Sequence, residues 1–193
     1  MTRRDATKYE ILHMLGEMIT GTIVLMVICT LAVLRAMGRS WGEPRVWTSD
    51  ANSSSTSQRL ADPYTFTHML HGIAFFLAMS FFDMSFGAKL LAATALECGW
   101  EILENTQTVI GRYRAETVSL GYNGDSVLNS LGDIVAMGVG FKVASVAPWQ
   151  VSLAIFAVTE LTLAVLIRDN LTLNVVQLVA PSKKIKAWQQ RTS

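Results

Sequence analysis

Apolar residues along this chain gather in long blocks, and the charged and small polar residues fill the gaps between them. A bilayer core takes about 20 apolar residues as a helix. The run Met18 to Leu34 (MITGTIVLMVICTLAVL) carries no charge. The segment before it holds Asp5, Glu10 and Glu17, and Arg-Ala-Met-Gly-Arg follows in place of a small-residue cleavage site, so it reads as a retained first span rather than a signal peptide. Further blocks predict spans at about 64–82, 90–110, 125–146 and 149–167, with the first at about 18–37. The stretch 38–63 (GRSWGEPRVWTSDANSSSTSQRLADP) is rich in Gly, Ser and Pro, with Trp41 and Trp47 suited to a membrane interface. It is longer than a connection needs to be, which predicts a functional or disordered segment. A turn at Asp83–Lys89, a polar loop at Gly111–Gly124 and a tight turn at Pro148 separate the remaining spans. The tail, 168–193, carries Lys183, Lys184, Lys186 and Trp188 and reads as a surface helix or extended end. The pattern predicts an all-α polytopic membrane protein, a bundle of about five transmembrane helices in one membrane domain over 1–193.

Composition agrees. Of 193 residues, 51% are hydrophobic and 16% charged, against roughly 25% charged in soluble domains. A disordered chain and an ordinary soluble globule are excluded, and a net charge of +1 gives no pull toward nucleic acid. Cys29 and Cys98 both lie in apolar runs and imply no disulfide framework. Orientation stays open. The Lys and Arg residues on the long-loop and tail side outnumber those on the other, which favours a cytoplasmic tail, whereas the Ser- and Trp-rich loop suits the opposite face.

Charged groups within a span are costly and need a partner, a proton or a purpose. Here they fall at helical spacing. Glu97, Glu101 and Glu104 share one face of the third span, extended by Asn105 and Thr108. Three carboxylates on one stripe repel, so they require a proton or a shared cation. His68 and His71 are one turn apart on the second span, and Asp125, Asn129 and Asp133 are spaced by four on the fourth. Antiparallel spans bring these stripes to the same side of the membrane. They predict a polar cleft lined by spans two, three and four and open toward the long loop. Gly132, Gly138 and Gly140 suit close helix approach. Taken singly, each residue has a structural reading: a packed histidine, a Glu–Arg pair at a helix end, an Asn bridging helices, or Asp125 as a helix cap. Their number in so short a chain is what points to a functional cleft.

Three functions compete. In the first, the cleft binds or acts on a lipid-linked or amphipathic envelope molecule. His71, Glu101, Glu104 and Asp125 then supply acid–base chemistry, and Arg112 and Arg114 hold a phosphate or carboxylate, with His68, Asn105, Asn129 and Asp133 completing the lining. A variant has His68, His71, Glu101, Glu104 and Asp125 jointly bind one or two divalent ions; no cofactor is assigned. In the second, Glu97, Glu101 and Asp133 relay protons in a carrier. In the third, the polar cluster fixes helix packing in a structural or assembly protein. The expected partners are the lipid bilayer and an amphipathic ligand.

The stretches SSTSQRLADPYTFTHMLHGIAFF, WEILENTQTVIGRYR, GYNGDSVLNSLGDIVAMGVGF and IRDNLTLNVVQLVAPSKKIKAW resemble the bacterial domain-of-unknown-function 2585 family, also called uncharacterised protein family 0314. The resemblance covers most of the chain. It implies an integral, multi-pass cell-membrane protein of the bacterial inner membrane and brings no activity with it. A looser likeness is to the VanZ-like membrane proteins linked to glycopeptide-antibiotic resistance. Their ordered pattern of His, acidic residue, Arg, then Asp and Asn spaced by four is matched by His71, Glu101 or Glu104, Arg112 or Arg114, Asp125 and Asn129. Their Glu-x-x-Gln is replaced here by Glu-Asn or by Glu104 with Gln107. That likeness implies an extracytoplasmic site.

Overall fold

The computed structural model describes residues 3–51, 53–117, 119 and 121–190. Its helices are α1 (Arg3–Ala36), α2 (Thr65–Met79), α3 (Phe86–Glu104), α4 (Gln107–Glu116), α5 (Val127–Val146), α6 (Trp149–Leu166), α7 (Leu171–Val179) and α8 (Lys183–Gln189). Among the described residues the only β pairing is an isolated bridge between Trp47 and Ala61. The architecture is the expected all-α bundle. The segments Glu10–Ala36, Val127–Val146 and Trp149–Leu166 are long and apolar enough to cross a membrane, and α2 is a shorter apolar helix. Burial separates their roles. Only 11% of the apolar window of α1 and 17% of that of α6 is covered by protein, against 56% for α5. The bundle therefore forms around α5, while α1 and α6 turn large apolar side chains such as Leu25, Ile28, Leu161 and Val165 outward.

Local chemistry explains most helix starts. Ser85, Thr106, Ser126, Asn170 and Ser182 precede α3, α4, α5, α7 and α8, and each side chain accepts the backbone N–H three residues on. The cap on α5 is thus Ser126 and not Asp125, whose side chain is used elsewhere.

The centre is the crossing of α2 and α5. Gly72 and Gly140 let the two backbones touch: a Cβ at Gly72 would lie 1.9 Å from the Met137 carbonyl oxygen, and one at Gly140 1.9 Å from that of Met69. Gly132 allows a third close approach, of the Leu60 carbonyl onto α5, whereas Gly138 faces open space. Below the crossing the core is apolar, with Leu70, Ile73, Ala93, Met137, Phe141 and Ala144 buried and the Phe76 and Phe141 rings edge to face at 5.2 Å. Toward the long-loop end the same helices become polar.

Three expectations change. The third span ends at Glu104 rather than at 110. Thr106 adopts an extended conformation and caps a new helix, so α4 occupies 107–116, where a loop was expected to begin at 111. The described residues of the segment, 37–51 and 53–64, are folded over the bundle and pinned by side chains. Arg59 bonds Glu43, Ser55 and the Trp47 carbonyl, and buried Asp62 accepts the backbone N–H groups of Ser57 and Tyr64. The tail turns back as α7 and α8. Glu160 accepts the N–H groups of Leu171 and Thr172, and Gln177, fully buried, donates to the Glu116 carbonyl on α4. Arg191 of the tail lies outside the described residues.

Candidate functional site: a histidine–carboxylate floor under an amphipathic cavity

The polar ends of α2, α3 and α5 converge. His68 on α2 places Nδ1 2.6 Å from Oε1 of Glu97 on α3, and His71, one turn on, places its Nδ1 3.0 Å from Oε2 of the same carboxylate. Glu97 is fully buried and holds both imidazoles. One turn nearer the loop end, Glu101 Oε1 lies 3.4 Å from His68 Nδ1, and on the other side of the ring Asp133 Oδ2 on α5 lies 3.9 Å from Nε2. By helix rise, Glu97 sits about 10 Å below the loop end of α3.

Nearer the surface a second group forms where α3 breaks. The Asn105 amide donates to the Glu101 carbonyl and to Asp125 Oδ2, and its own oxygen accepts the Asp125 N–H at 2.7 Å. The Tyr122 hydroxyl donates to the same Asp125 oxygen at 2.7 Å. The Tyr113 ring packs edge-on against Tyr122 at 5.1 Å, and its hydroxyl hydrogen-bonds Glu104. Burial, reinforced by these carboxylates, pushes both tyrosine hydroxyls well above their ordinary range, so they act here as hydrogen-bond donors. Asp62, under the folded loop, is also raised by burial, against the pull of its two backbone donors. Asn129 donates to the Arg59 carbonyl at 2.9 Å and so ties the loop to α5.

Above this floor lies a cavity of about 1030 Å³. His68, His71, Glu104, Asp125, Asn129 and Asp133 line its polar part. Phe75, Leu96 and Trp100 form one apolar wall, and Leu171, Val175 and Leu178 of the returning tail form another. His71 stacks on Phe75 and meets Trp100 edge-on, so the imidazole stands where polar floor and aromatic wall join.

Of the residues singled out from the sequence, His68, His71, Glu101, Glu104, Asn105, Asp125, Asn129 and Asp133 are brought together at this end of the bundle, with Glu97 as their deepest member. Arg112 and Arg114 are not. Helix α4 carries both to the exposed surface, where Arg112 reaches the Val179 carbonyl and Arg114 bonds Tyr122 and Asn123. Neither lines the cavity. The cation on the wall is Arg39, which bonds the Asn123 carbonyl. Sequence reasoning missed Arg39, Tyr113, Tyr122 and the α7 wall. Arg39 follows an apolar run and reads as a flanking charge, and the tyrosines sit in what reads as a loop. Glu160 does not join the floor; it holds the start of α7. Cys29 and Cys98 are both free.

The family model described as "Protein of unknown function (DUF2585)" matches residues 17–191. A UPF0314 protein of Rhizobium meliloti (strain 1021) is 45% identical over 177 residues, covering 88% of this chain and 87% of its own. A second, from Paracoccus denitrificans (strain Pd 1222), is 43% identical over 169 residues, covering 86% and 88%. No solved structure matches. With the match spanning the loop, the floor, the α4 break and the returning tail alike, the chain belongs to the DUF2585 family of bacterial proteins.

Proposed function

We propose that this protein is a multi-pass protein of the bacterial inner membrane that holds an amphipathic or lipid-linked envelope molecule in its cavity, with the polar head on the histidine–carboxylate floor. The observation that carries this reading is the division of one cavity of about 1030 Å³ into a polar floor and apolar walls. Pockets of roughly 300–1,000 Å³ suit small organic ligands, and apolar lining with a few converging polar groups is their usual chemistry. Three helices of membrane-crossing length support the membrane reading, and the shorter apolar α2 with α3 would complete five crossings.

The floor favours a head rich in hydroxyl or amine donors. Its facing groups are carboxylates, imidazoles and the Asn129 amide; the surface arginines expected to take a phosphate bond elsewhere, and Arg39 on the wall bonds the Asn123 carbonyl. His71, next to Glu97 and facing the cavity, is the group best placed to exchange a proton with such a head. The test is mass spectrometry of lipid extracts from the full chain purified gently in detergent. A discrete amphipathic species is expected with the wild type and with Arg112→Ala and Arg114→Ala. Val175→Trp, which fills the mouth, is expected to lose it. Equal recovery from Val175→Trp and wild type would refute the reading.

A further inference from the structure

One carboxylate in the floor, Glu101, lacks any hydrogen-bond donor, while Asp133 accepts from the Thr65 side chain and, like Glu104, leaves one oxygen unmet. Glu101 is fully buried, and neither of its oxygens accepts a hydrogen bond among the described residues. Asp133 is 3% exposed, and its Oδ1 is likewise unmet. A buried ionised carboxylate without a partner is costly, so such a group either takes a proton or holds a cation, and two of them flanking one imidazole offer a shared cation a ligand set. The nearby basic side chains do not serve. Arg39 is engaged with Asn123, and Arg59 with Glu43 and Ser55. Only His68 stands between the two carboxylates, and its Nδ1 is already shared with Glu97.

We propose that His68, Glu101 and Asp133 form a binding site for one divalent first-row metal ion. One ligand atom from each lies within 4.8 Å of the others, and all three residues are buried. Bonds of about 2.1 Å place neighbouring ligands about 3–4 Å apart; Asp133 Oδ2 lies 3.9 Å from Nε2, and Glu101, whose Oε1 lies 3.4 Å from Nδ1, has to swing toward Nε2 to close the site. Glu97 supplies the outer support. It accepts the Nδ1 proton of His68 at 2.6 Å, which fixes the tautomer and turns Nε2 toward Asp133, the carboxylate–histidine–metal arrangement. The alternative trio of His68, His71 and Glu97 also meets in space, but both Glu97 oxygens are occupied by the imidazoles. Glu97 is therefore an orienting group. One imidazole nitrogen and two carboxylate oxygens suit Zn²⁺ or Mn²⁺ better than Ca²⁺. His68 and Asp133 both line the cavity, so the remaining coordination position opens toward it. An oxygen of the polar head would take that position, and this last step alone rests on the function proposed above.

The experiment is metal analysis of the full chain in detergent, stripped with chelator, dialysed against Zn²⁺ or Mn²⁺ alone and desalted, with melting temperature read alongside. About one ion per chain and a raised melting temperature are expected. Glu101→Gln and Asp133→Asn should each weaken binding at least about tenfold, as loss of a ligand or its support does. Glu43→Gln, a loop carboxylate remote from the trio, should keep it. Should the two floor variants fail to accumulate, Co²⁺ added to the stripped wild type still decides, because ligand-field bands stronger than and shifted from those of aqueous Co²⁺ appear only if a protein site takes the ion. No retained ion, no thermal shift and no Co²⁺ bands in the wild type overturn the site, as does equal binding by wild type and both floor variants. Retained ion without any co-purifying amphipath supports the metal site and refutes the ligand reading. An amphipath recovered from protein that binds no ion does the reverse.

Discussion

The contact of Gly72 with α5 offers the sharpest test of how the floor is assembled. In Gly72→Ala the new methyl would sit 1.9 Å from the Met137 carbonyl oxygen and 2.5 Å from the Phe141 nitrogen, both backbone atoms that no rotamer change can move. Relief requires α2 and α5 to separate by about 1 Å. A gap of that size forfeits a quarter to a half of the dispersion well for atoms across it. Overpacking of this kind costs about 1–3 kcal/mol, and the upper end is expected because Leu70, Ile73, Met137 and Phe141 all pack beside the crossing. For a chain of this size that corresponds to roughly 10 °C in melting temperature. Gly140→Ala strikes the Met69 carbonyl at the same crossing and should behave alike. The double variant should lose less than the sum, since one separation relieves both clashes. Gly138→Ala, on the same helix with nothing within 4 Å, is the control. Its gain in helix propensity should leave stability equal or slightly higher. The assay is thermal unfolding of the purified chain in one detergent. If Gly72→Ala melts with Gly138→Ala rather than well below it, the close crossing is wrong, and with it the geometry that sets His68 against Asp133.

Two further outcomes follow from the returning tail. Glu160→Ala removes the acceptor of two backbone N–H groups at the start of α7 and should destabilise by about 2–3 kcal/mol, with faster hydrogen exchange at Leu171 and Thr172; Glu160→Gln should fall between. Burial raises Asp169 to about 7, although Asn170, Tyr64 and Gln189 all donate to it. Its folded value lies above the unfolded one, so the folded state keeps the proton longer. Stability should therefore fall as pH rises from about 4 to 7 and level off above, and Asp169→Asn should flatten that slope in melting curves.

The sequence by itself determined what depends on neighbours along the chain. Apolar blocks gave the helices, because burying or lipid-facing length is a local property. The starts of α3 and α5 are local too, set by the Ser85 and Ser126 side chains, although the sequence pattern offered Asp125 as the α5 cap. The i, i+4 spacings of Glu97, Glu101 and Glu104, and of Asp125, Asn129 and Asp133, put each set on one helix face, because 3.6 residues make a turn whatever lies opposite. The tertiary structure alone decided which faces meet. Glu97 is gripped by two imidazoles because α2 packs beside α3, while two glycines set α2 against α5 on its other side. The break after Glu104 was decided by Asn105, whose amide reaches across to Asp125, a partner 20 residues away. Arg112 and Arg114 were placed outside, and Arg39 on the wall, by where α4 and the end of α1 lie against the bundle. The tail became a wall because Gln177, Asp169 and Glu160 find partners on other elements, and no periodicity encodes a contact made across that distance.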